Sequence, residues 1–160
     1  MTTKGGPMAG WTRQELEREF ERYKQVALEC GPAENWDPFC DLYTEHAVMV
    51  IAGGVKIGGR EAMKRWYRAA FGEEPFKYLY YYPVPWALFD EYRGYVACEF
   101  KMRMADPGDG SVHETSCFSI LHYAGNGLWS YEEDKYDPAE LDAMIAGWVE
   151  AKARCDAAAG

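Results

Sequence analysis

The sequence predicts an α+β fold in which helices pack against one curved antiparallel sheet. In three segments before residue 72, apolar residues recur at helical spacing. From residue 76 the pattern changes to strands separated by turn-forming residues, and residues 138–154 return to helical spacing. Helices segregated from antiparallel strands indicate an α+β protein. A strongly twisted sheet with helices across its concave side would form a cone with a pocket inside.

The first half of the chain carries most of the predicted helices. Thr12 is expected to cap the first helix, with Glu15 as its capping-box partner, and Gly31-Pro32 ends it. A short hairpin is expected where two apolar runs flank a pair of glycines. The predicted helices span residues 12–30, 35–43 and 60–71, and the hairpin strands span 47–51 and 55–57.

The second half carries the longer strands, which are expected at residues 76–89, 93–105, 112–123 and 128–136. Pro83 and Pro85 place the first of them at a sheet edge or at a bulge, because proline cannot donate to the strand ladder. A last helix begins at Asp137-Pro138. At this length the chain is expected to form one domain over residues 11–155, preceded by a flexible N-terminus at residues 1–10.

Composition and charge disfavour several functional classes. A net charge of -9 would repel nucleic acid and acidic membrane surfaces. No run of 18 apolar residues is present and the N-terminus lacks a signal-peptide core, so a cytoplasmic protein is expected. The number of cysteines, five, is odd, and none of them form a Cys-x-x-Cys pair. This pattern disfavours a disulfide framework and indicates reduced thiols. Neither metal-ligand spacing nor a phosphate-binding glycine loop is present, and no cofactor is expected.

The aromatic content of 16% is more than a small core needs. Tyr78, Tyr80 and Tyr82 fall on one face of their predicted strand. Together with Tyr43, Trp66 and Trp86 they would line a cavity for an apolar ligand. The alternative is a packed core and a dimer interface across the convex face of the sheet.

Two carboxylates in the last predicted strand are the strongest candidates for chemistry. Glu132 and Asp134 are two positions apart, so they share a strand face with Ser130 and Tyr136. If that face is concave, burial and mutual repulsion would raise at least one carboxyl pKa toward neutrality. Such a group is a competent general acid or base. The alternative is a solvated strand face on which both carboxylates are ordinary surface residues.

Three short strings, in their order and spacing, resemble the nuclear transport factor 2-like superfamily, and within it the SnoaL-like and ketosteroid isomerase-like small enzymes. The strings are DLYTEHAV at 41–48, GREAM at 59–63 and YAGNGLW at 123–129. The resemblance covers roughly residues 12–150 and implies a cone-shaped, cystatin-like α+β barrel with helices over the concave face of its sheet. This superfamily includes isomerases, dehydratases, epoxide hydrolases, cyclases, lyases and members without chemistry.

The ketosteroid isomerase-like pattern matches this sequence at one position of three. Tyr23 corresponds to the tyrosine that donates to the substrate oxyanion in those enzymes. Ile51 stands where they carry an aspartate base, and Ser119 stands where they carry a carboxylic acid donor. Steroid-type isomerisation is therefore disfavoured.

The limonene epoxide hydrolase-like pattern matches differently. Asp134 corresponds to an aspartate late in the final strand of those enzymes, and Arg103 is the candidate for their arginine. Their second aspartate has no counterpart, because the neighbouring residues are Lys101 and Met102. Strand alternation favours an outward Arg103, unless a bulge near residues 106–110 reverses which set of side chains points inward.

The sequence and the resemblance together predict a cofactor-independent acid–base enzyme, namely a lyase, dehydratase or isomerase acting on a hydrophobic aromatic or polycyclic molecule. Asp134 or Glu132 would move the proton, and Tyr23 with Arg103 would stabilise the anionic intermediate. The predicted substrate-binding residues are Tyr43, Met49, Ile51, Trp66, Tyr80, Tyr82, Trp86, Met102, His113, Cys117, Ser119 and Tyr136.

Three alternatives remain open at this point. The first is a non-catalytic binding protein for hydrophobic ligands, the second an epoxide hydrolase-like enzyme, and the third a dimeric interaction module. A homodimer through the convex sheet face is expected as well, since this superfamily often uses that face.

Overall fold

A curved seven-stranded sheet with four α-helices forms the structure, a computed structural model that describes residues 10–160. The helices are α1 (Arg13–Cys30), α2 (Asp37–Cys40), α3 (Arg60–Ala70) and α4 (Pro138–Ala159). The strands are β1 (Tyr43–Ile51), β2 (Val55–Gly58), β3 (Leu79–Tyr81), β4 (Trp86–Asp90), β5 (Tyr95–Met104), β6 (Glu114–Gly125) and β7 (Leu128–Lys135). The predicted α+β fold is confirmed.

The strands are ordered β2-β1-β7-β6-β5-β3, and β4 also pairs with β5. All pairs are antiparallel except β1 and β7, which run parallel. The expectation of a purely antiparallel sheet is therefore wrong at one position. This parallel pairing joins distant parts of the chain: the β5–β6–β7 meander places its last strand beside β1, from the first half of the chain.

The helices begin largely where the sequence predicts. The Thr12 side chain accepts a hydrogen bond from the backbone N–H of Glu15, at 3.1 Å, as the capping box requires. Helix α2 is shorter than the expected 35–43 because β1 already begins at Tyr43. The predicted flexible N-terminus falls outside the described residues, except for Gly10. No helix within residues 10–160 combines the length and apolar character that crossing a bilayer requires.

Strand β5 decides which face of the sheet points toward the helices. Cys98, Phe100 and Met102 are buried on the concave side, while Lys101 and Arg103 alternate to the convex side. The pairing of β5 with β6 runs without a shift from Tyr95–His122 to Arg103–Glu114. No bulge reverses this register, so the simple alternation in the sequence is correct here.

Strand β7 does contain a bulge. Trp129 pairs with Tyr123 and Tyr131 pairs with His122, which leaves Ser130 as an extra residue. Trp129 packs on Tyr23 with ring centroids 6.0 Å apart, and Glu132 bonds to the same tyrosine, so both point toward the helices. The expected shared face of Ser130 and Glu132 is therefore broken, and the bulge sets which carboxylates of β7 point inward.

The convex face of the sheet carries exposed apolar side chains. Leu88 is 67% exposed and Phe118 is 51% exposed, and Trp86 lies beside Phe118 with ring centroids 6.2 Å apart. A homodimer through this face stays a prediction.

Candidate active site

A cavity of about 330 Å³ lies between the helices and the concave face of the sheet. Eleven of its lining residues are aromatic: Phe20, Tyr23, Trp36, Phe39, Trp66, Tyr67, Phe71, Phe76, Tyr82, Phe100 and Tyr136. Among the described residues, those of charged type that line it are Lys24, Glu132 and Asp134. This size and apolar lining suit a small hydrophobic molecule.

The helical wall of the cavity is a packed group of rings. Trp36 stacks on Tyr67 with centroids 5.3 Å apart, and Tyr67 stacks on Phe71 at 5.5 Å. Trp66 meets Tyr67 edge to face at 5.0 Å. Such pairs add stability beyond their buried area.

Glu132 lies in the cavity wall with 2% of its area exposed. The Tyr23 hydroxyl donates to its Oε1 at 2.9 Å, and the Tyr43 hydroxyl bonds its Oε2. Burial, and secondarily the charge of Asp134, raises the pKa of Glu132 well above its ordinary range. At neutral pH this carboxyl therefore keeps its proton, with both oxygens in hydrogen bonds.

Asp134 is half-buried and exposes part of its surface into the cavity. It pairs across the sheet with Ser119, whose hydroxyl donates to Oδ1. Burial raises the pKa of Asp134 from 3.8 to about 6, although hydrogen bonds from Ser119 and Glu132 favour its charged form. The two carboxyls thus hold one proton between them at neutral pH, mainly on Glu132, and Asp134 is a base suited to that pH.

Tyr67 is a site residue that the sequence did not single out. It is 9% exposed and lines the cavity. Burial, followed by the charge of Asp134, raises its pKa well above the ordinary range, so the hydroxyl keeps its proton. Within residues 10–160 its hydroxyl has no hydrogen-bond partner, whereas that of Tyr82 donates to the Leu79 carbonyl at 3.2 Å. Tyr67 is therefore a donor available to a ligand.

The structure brings most of the predicted residues together. Those that line the cavity are Tyr23, Met49, Ile51, Trp66, Tyr82, Met102, Glu132, Asp134 and Tyr136. Tyr43 and Ser119 do not line it, because they lie behind the carboxyls and bond to them. Their hydroxyls bond to Glu132 and Asp134 instead of reaching the cavity surface.

Arg103 lies outside the cavity. Its Nε donates to Glu114 at 2.6 Å, directly across the convex face. The uninterrupted register of β5 and β6 causes this placement, since the bulge that would turn Arg103 inward is absent. Arg103 therefore cannot neutralise Asp134 or contact a ligand in this cavity.

Tyr80 and Trp86 also lie outside the cavity. The segment with Pro83 and Pro85 does not form one strand, and β3 ends at Tyr81 before β4 begins at Trp86. Tyr82 consequently lines the cavity, whereas Tyr80 lies beside Tyr78 with centroids 6.1 Å apart. Trp86 donates from Nε1 to Glu99 at 2.9 Å on the convex side.

His113 and Cys117, both expected to bind substrate, also lie outside the cavity lining. His113 precedes β6, with Nε2 3.0 Å from the Ser111 hydroxyl and its ring beside Gly147 of α4. Cys117 is fully buried and does not reach the cavity, and burial raises the pKa of its thiol. Within residues 10–160 no cluster of His, Cys, Asp and Glu side chains is arranged to hold a metal ion.

Comparison with known proteins supports the fold. No protein-family model matches the sequence, and no curated protein matches it significantly. Among solved structures, a protein assigned as a SnoaL-like polyketide cyclase from Jannaschia sp. CCS1 is 12% identical with a TM-score of 0.64, over 91% of this chain and 98% of that chain. SalBIII, an epoxide hydrolase/cyclase-like enzyme of salinomycin pyran ring formation, is 13% identical with a TM-score of 0.61, over 79% of this chain and 94% of that chain.

A de novo designed protein with a curved β-sheet matches as well, with 14% identity and a TM-score of 0.57, over 86% of this chain and 97% of that chain. A designed protein and enzymes share this architecture, so the likeness carries no activity by itself. The chain therefore has the curved-sheet, cystatin-like α+β fold of SnoaL-like and ketosteroid isomerase-like proteins.

Proposed function

We propose that this protein is a cofactor-independent acid–base enzyme that moves a proton on a hydrophobic aromatic or polycyclic small molecule. The observation that carries this proposal is the carboxyl pair in the aromatic cavity. Asp134, with a pKa of about 6, is exposed to the cavity, and the buried, protonated Glu132 is hydrogen-bonded to it. A base with a pKa near the working pH is the group that general base catalysis requires.

The chemical step is the removal of a proton from a carbon next to a carbonyl group. The Asp134 carboxylate takes the proton, the C–H bond breaks, and its electron pair moves to the carbonyl oxygen. Return of the proton to another carbon gives isomerisation, and departure of a group on the neighbouring carbon gives elimination or lyase cleavage. The carboxyl pair serves all three outcomes, so the substrate decides between them.

Tyr67 is the residue best placed to stabilise the developing oxyanion. Its hydroxyl lines the cavity near Asp134 and has no partner within the described residues. Tyr23 was the candidate from sequence, but its hydroxyl is already bonded to Glu132 at 2.9 Å. In this proposal Tyr23 positions Glu132, and Tyr67 donates to the substrate.

A purely passive carrier would have no need for this arrangement. Burying ionisable groups costs several kcal/mol unless they are well paired. Two adjacent carboxyls with raised pKa values therefore destabilise the fold, and such groups concentrate at functional sites. The absence of Arg103 from the cavity also removes the arginine of the epoxide hydrolase-like alternative.

The proposal predicts that the protein catalyses hydrogen exchange on a simple aromatic ketone. With 2-tetralone in D2O, NMR should show saturable deuterium incorporation next to the carbonyl, faster than in buffer. Acetone serves as a control, because it is too small to fill the aromatic cavity and should exchange no faster than in buffer. Bound 2-tetralone without exchange between pH 6 and 8 would contradict the proposal and indicate a carrier.

A further inference from the structure

We propose that the natural ligand of this cavity is a hydrophobic cation, such as a protonated arylalkylamine or an iminium. This inference deepens the proposed function, since it assigns the charge of the substrate. It stands on the charge balance of the cavity, on the aromatic walls and on the unpartnered Tyr67 hydroxyl.

The cavity interior carries an uncompensated negative charge. The polar contacts of Asp134 are with Ser119 and Glu132, both of which are neutral donors. None of the ion pairs formed by residues 10–160 includes Glu132 or Asp134. A buried charge is strongly disfavoured unless an opposite charge joins it. A ligand that supplies the missing cation would relieve this cost.

Lys24 does not supply that cation. It is the positively charged side chain among the described lining residues, but its Nζ pairs with Glu21 at 2.5 Å. It also lines two grooves on the outer surface, and 31% of its side chain is exposed. The charge of Lys24 therefore lies at the rim, where Glu21 and solvent offset it.

The walls of the cavity favour a cation as well. Aromatic rings carry negative charge on their faces and attract ammonium groups, which is the basis of aromatic cages for quaternary ammonium ligands. Trp36, Trp66 and Tyr82 lie in the same lining as Asp134. The Tyr67 hydroxyl, on a residue that is nine-tenths buried, offers an unused oxygen that can accept a hydrogen bond from an ammonium N–H.

A cationic substrate also suits the proton transfer. When Asp134 removes a proton from the carbon next to an iminium group, the C–H electron pair forms a carbon–carbon double bond and the nitrogen becomes neutral. The carboxylate becomes a neutral acid in the same step, so two opposite charges disappear together. In a cavity of low polarity this change is more favourable than passing the negative charge to a neutral ketone.

The test compares three naphthalene ligands of similar shape and different charge by isothermal titration calorimetry at about pH 7.5, where an alkylamine is protonated. They are 1-naphthylmethylamine, 1-naphthylmethanol and 1-naphthoate. The amine should bind about tenfold tighter than the alcohol or better, and the naphthoate weakest. Equal affinity of amine and alcohol, no binding of the amine, or tightest binding of the naphthoate would each overturn the inference.

Two variants assign the preference to a residue. In Asp134→Asn the advantage of the amine over the alcohol should disappear. In Lys24→Met the preference for the amine should persist, and its loss would contradict the role given to Asp134. The ranking in the unaltered protein decides the question even if Asp134→Asn fails to fold.

This outcome is separable from that of the proposed function. A preference for the amine without ketone exchange would support the inference on charge and contradict the proposed proton transfer on a ketone. Ketone exchange without the preference would leave the enzyme and remove the inference on charge.

Discussion

Replacing Asp134 with asparagine is expected to lower the rate of ketone hydrogen exchange by a factor of about 10² to 10⁴, the usual contribution of a general base. Asparagine keeps the size of the side chain and can still bond to Ser119, but it cannot accept a proton at neutral pH. The rate of the unaltered protein should rise with pH and reach half its maximum near pH 6, where Asp134 loses its proton. NMR of the deuterated ketone measures both effects.

Glu132→Gln is the matched control. Glu132 is already neutral at pH 7 in the native protein, so a neutral amide changes little in the charge of the cavity. Its oxygen can still accept from Tyr23, and its nitrogen can donate to Asp134. We expect a loss of about tenfold or less, within the range of one altered hydrogen bond. Equal losses in both variants, or an active Asp134→Asn, would show that Asp134 is not the base.

The second large effect is on the free energy of unfolding. We expect the contribution of Asp134 to it to fall as the pH rises. The folded protein holds the Asp134 proton more tightly than the unfolded chain, since the pKa rises from 3.8 to about 6. Between these values the folded state binds more protons, so the contribution of this group to stability falls as the pH rises from about 4 to 6. Above that window the full loss is about 3 kcal/mol.

Urea unfolding of the native protein and of Asp134→Asn, at about pH 4.5 and pH 7.5, measures this loss. The difference between the two proteins is the relevant quantity, because it cancels the surface carboxyls that titrate in the opposite sense, such as Asp90 and Glu99. The variant should gain about 2 kcal/mol relative to the native protein over this range, because about 1 kcal/mol of the full loss has already occurred at pH 4.5. A constant difference would mean that Asp134 titrates as an ordinary surface carboxyl.

These two predictions describe a trade of stability for activity at one residue. Asp134→Asn should be the more stable and less active protein at neutral pH, whereas an ordinary core substitution lowers both. Such a pattern separates a functional carboxyl from a structural one.

Local rules predicted much of this fold. Capping residues set the start of α1, glycines set the β1–β2 hairpin, and strand alternation set the inward face of β5. Strand spacing indicates the pair Glu132 and Asp134, and the resemblance indicates Asp134 as well. These features depend on residues that are close in sequence, which is why the sequence alone reveals them.

The remaining features depend on contacts between distant parts of the chain. The bulge at Ser130 follows from how β7 pairs with β6, and the parallel pairing with β1 joins the two ends of the domain. The placement of Arg103 follows from the unbroken β5–β6 register. Tyr67 lies on the buried face of α3, and no local pattern distinguishes a hydroxyl that lines a cavity from one buried in the core.

The most direct test is an NMR titration of the side-chain carboxyl carbons of Asp134 and Glu132, assigned with the Asp134→Asn and Glu132→Gln variants. One proton shared by this pair at neutral pH underlies the acid–base function, the charge preference and the stability change. Asp134 should titrate with a midpoint near 6, and Glu132 should titrate at a higher pH than Asp134. Midpoints near 4 for both carboxyls, the values of solvated groups, would contradict the proposed site.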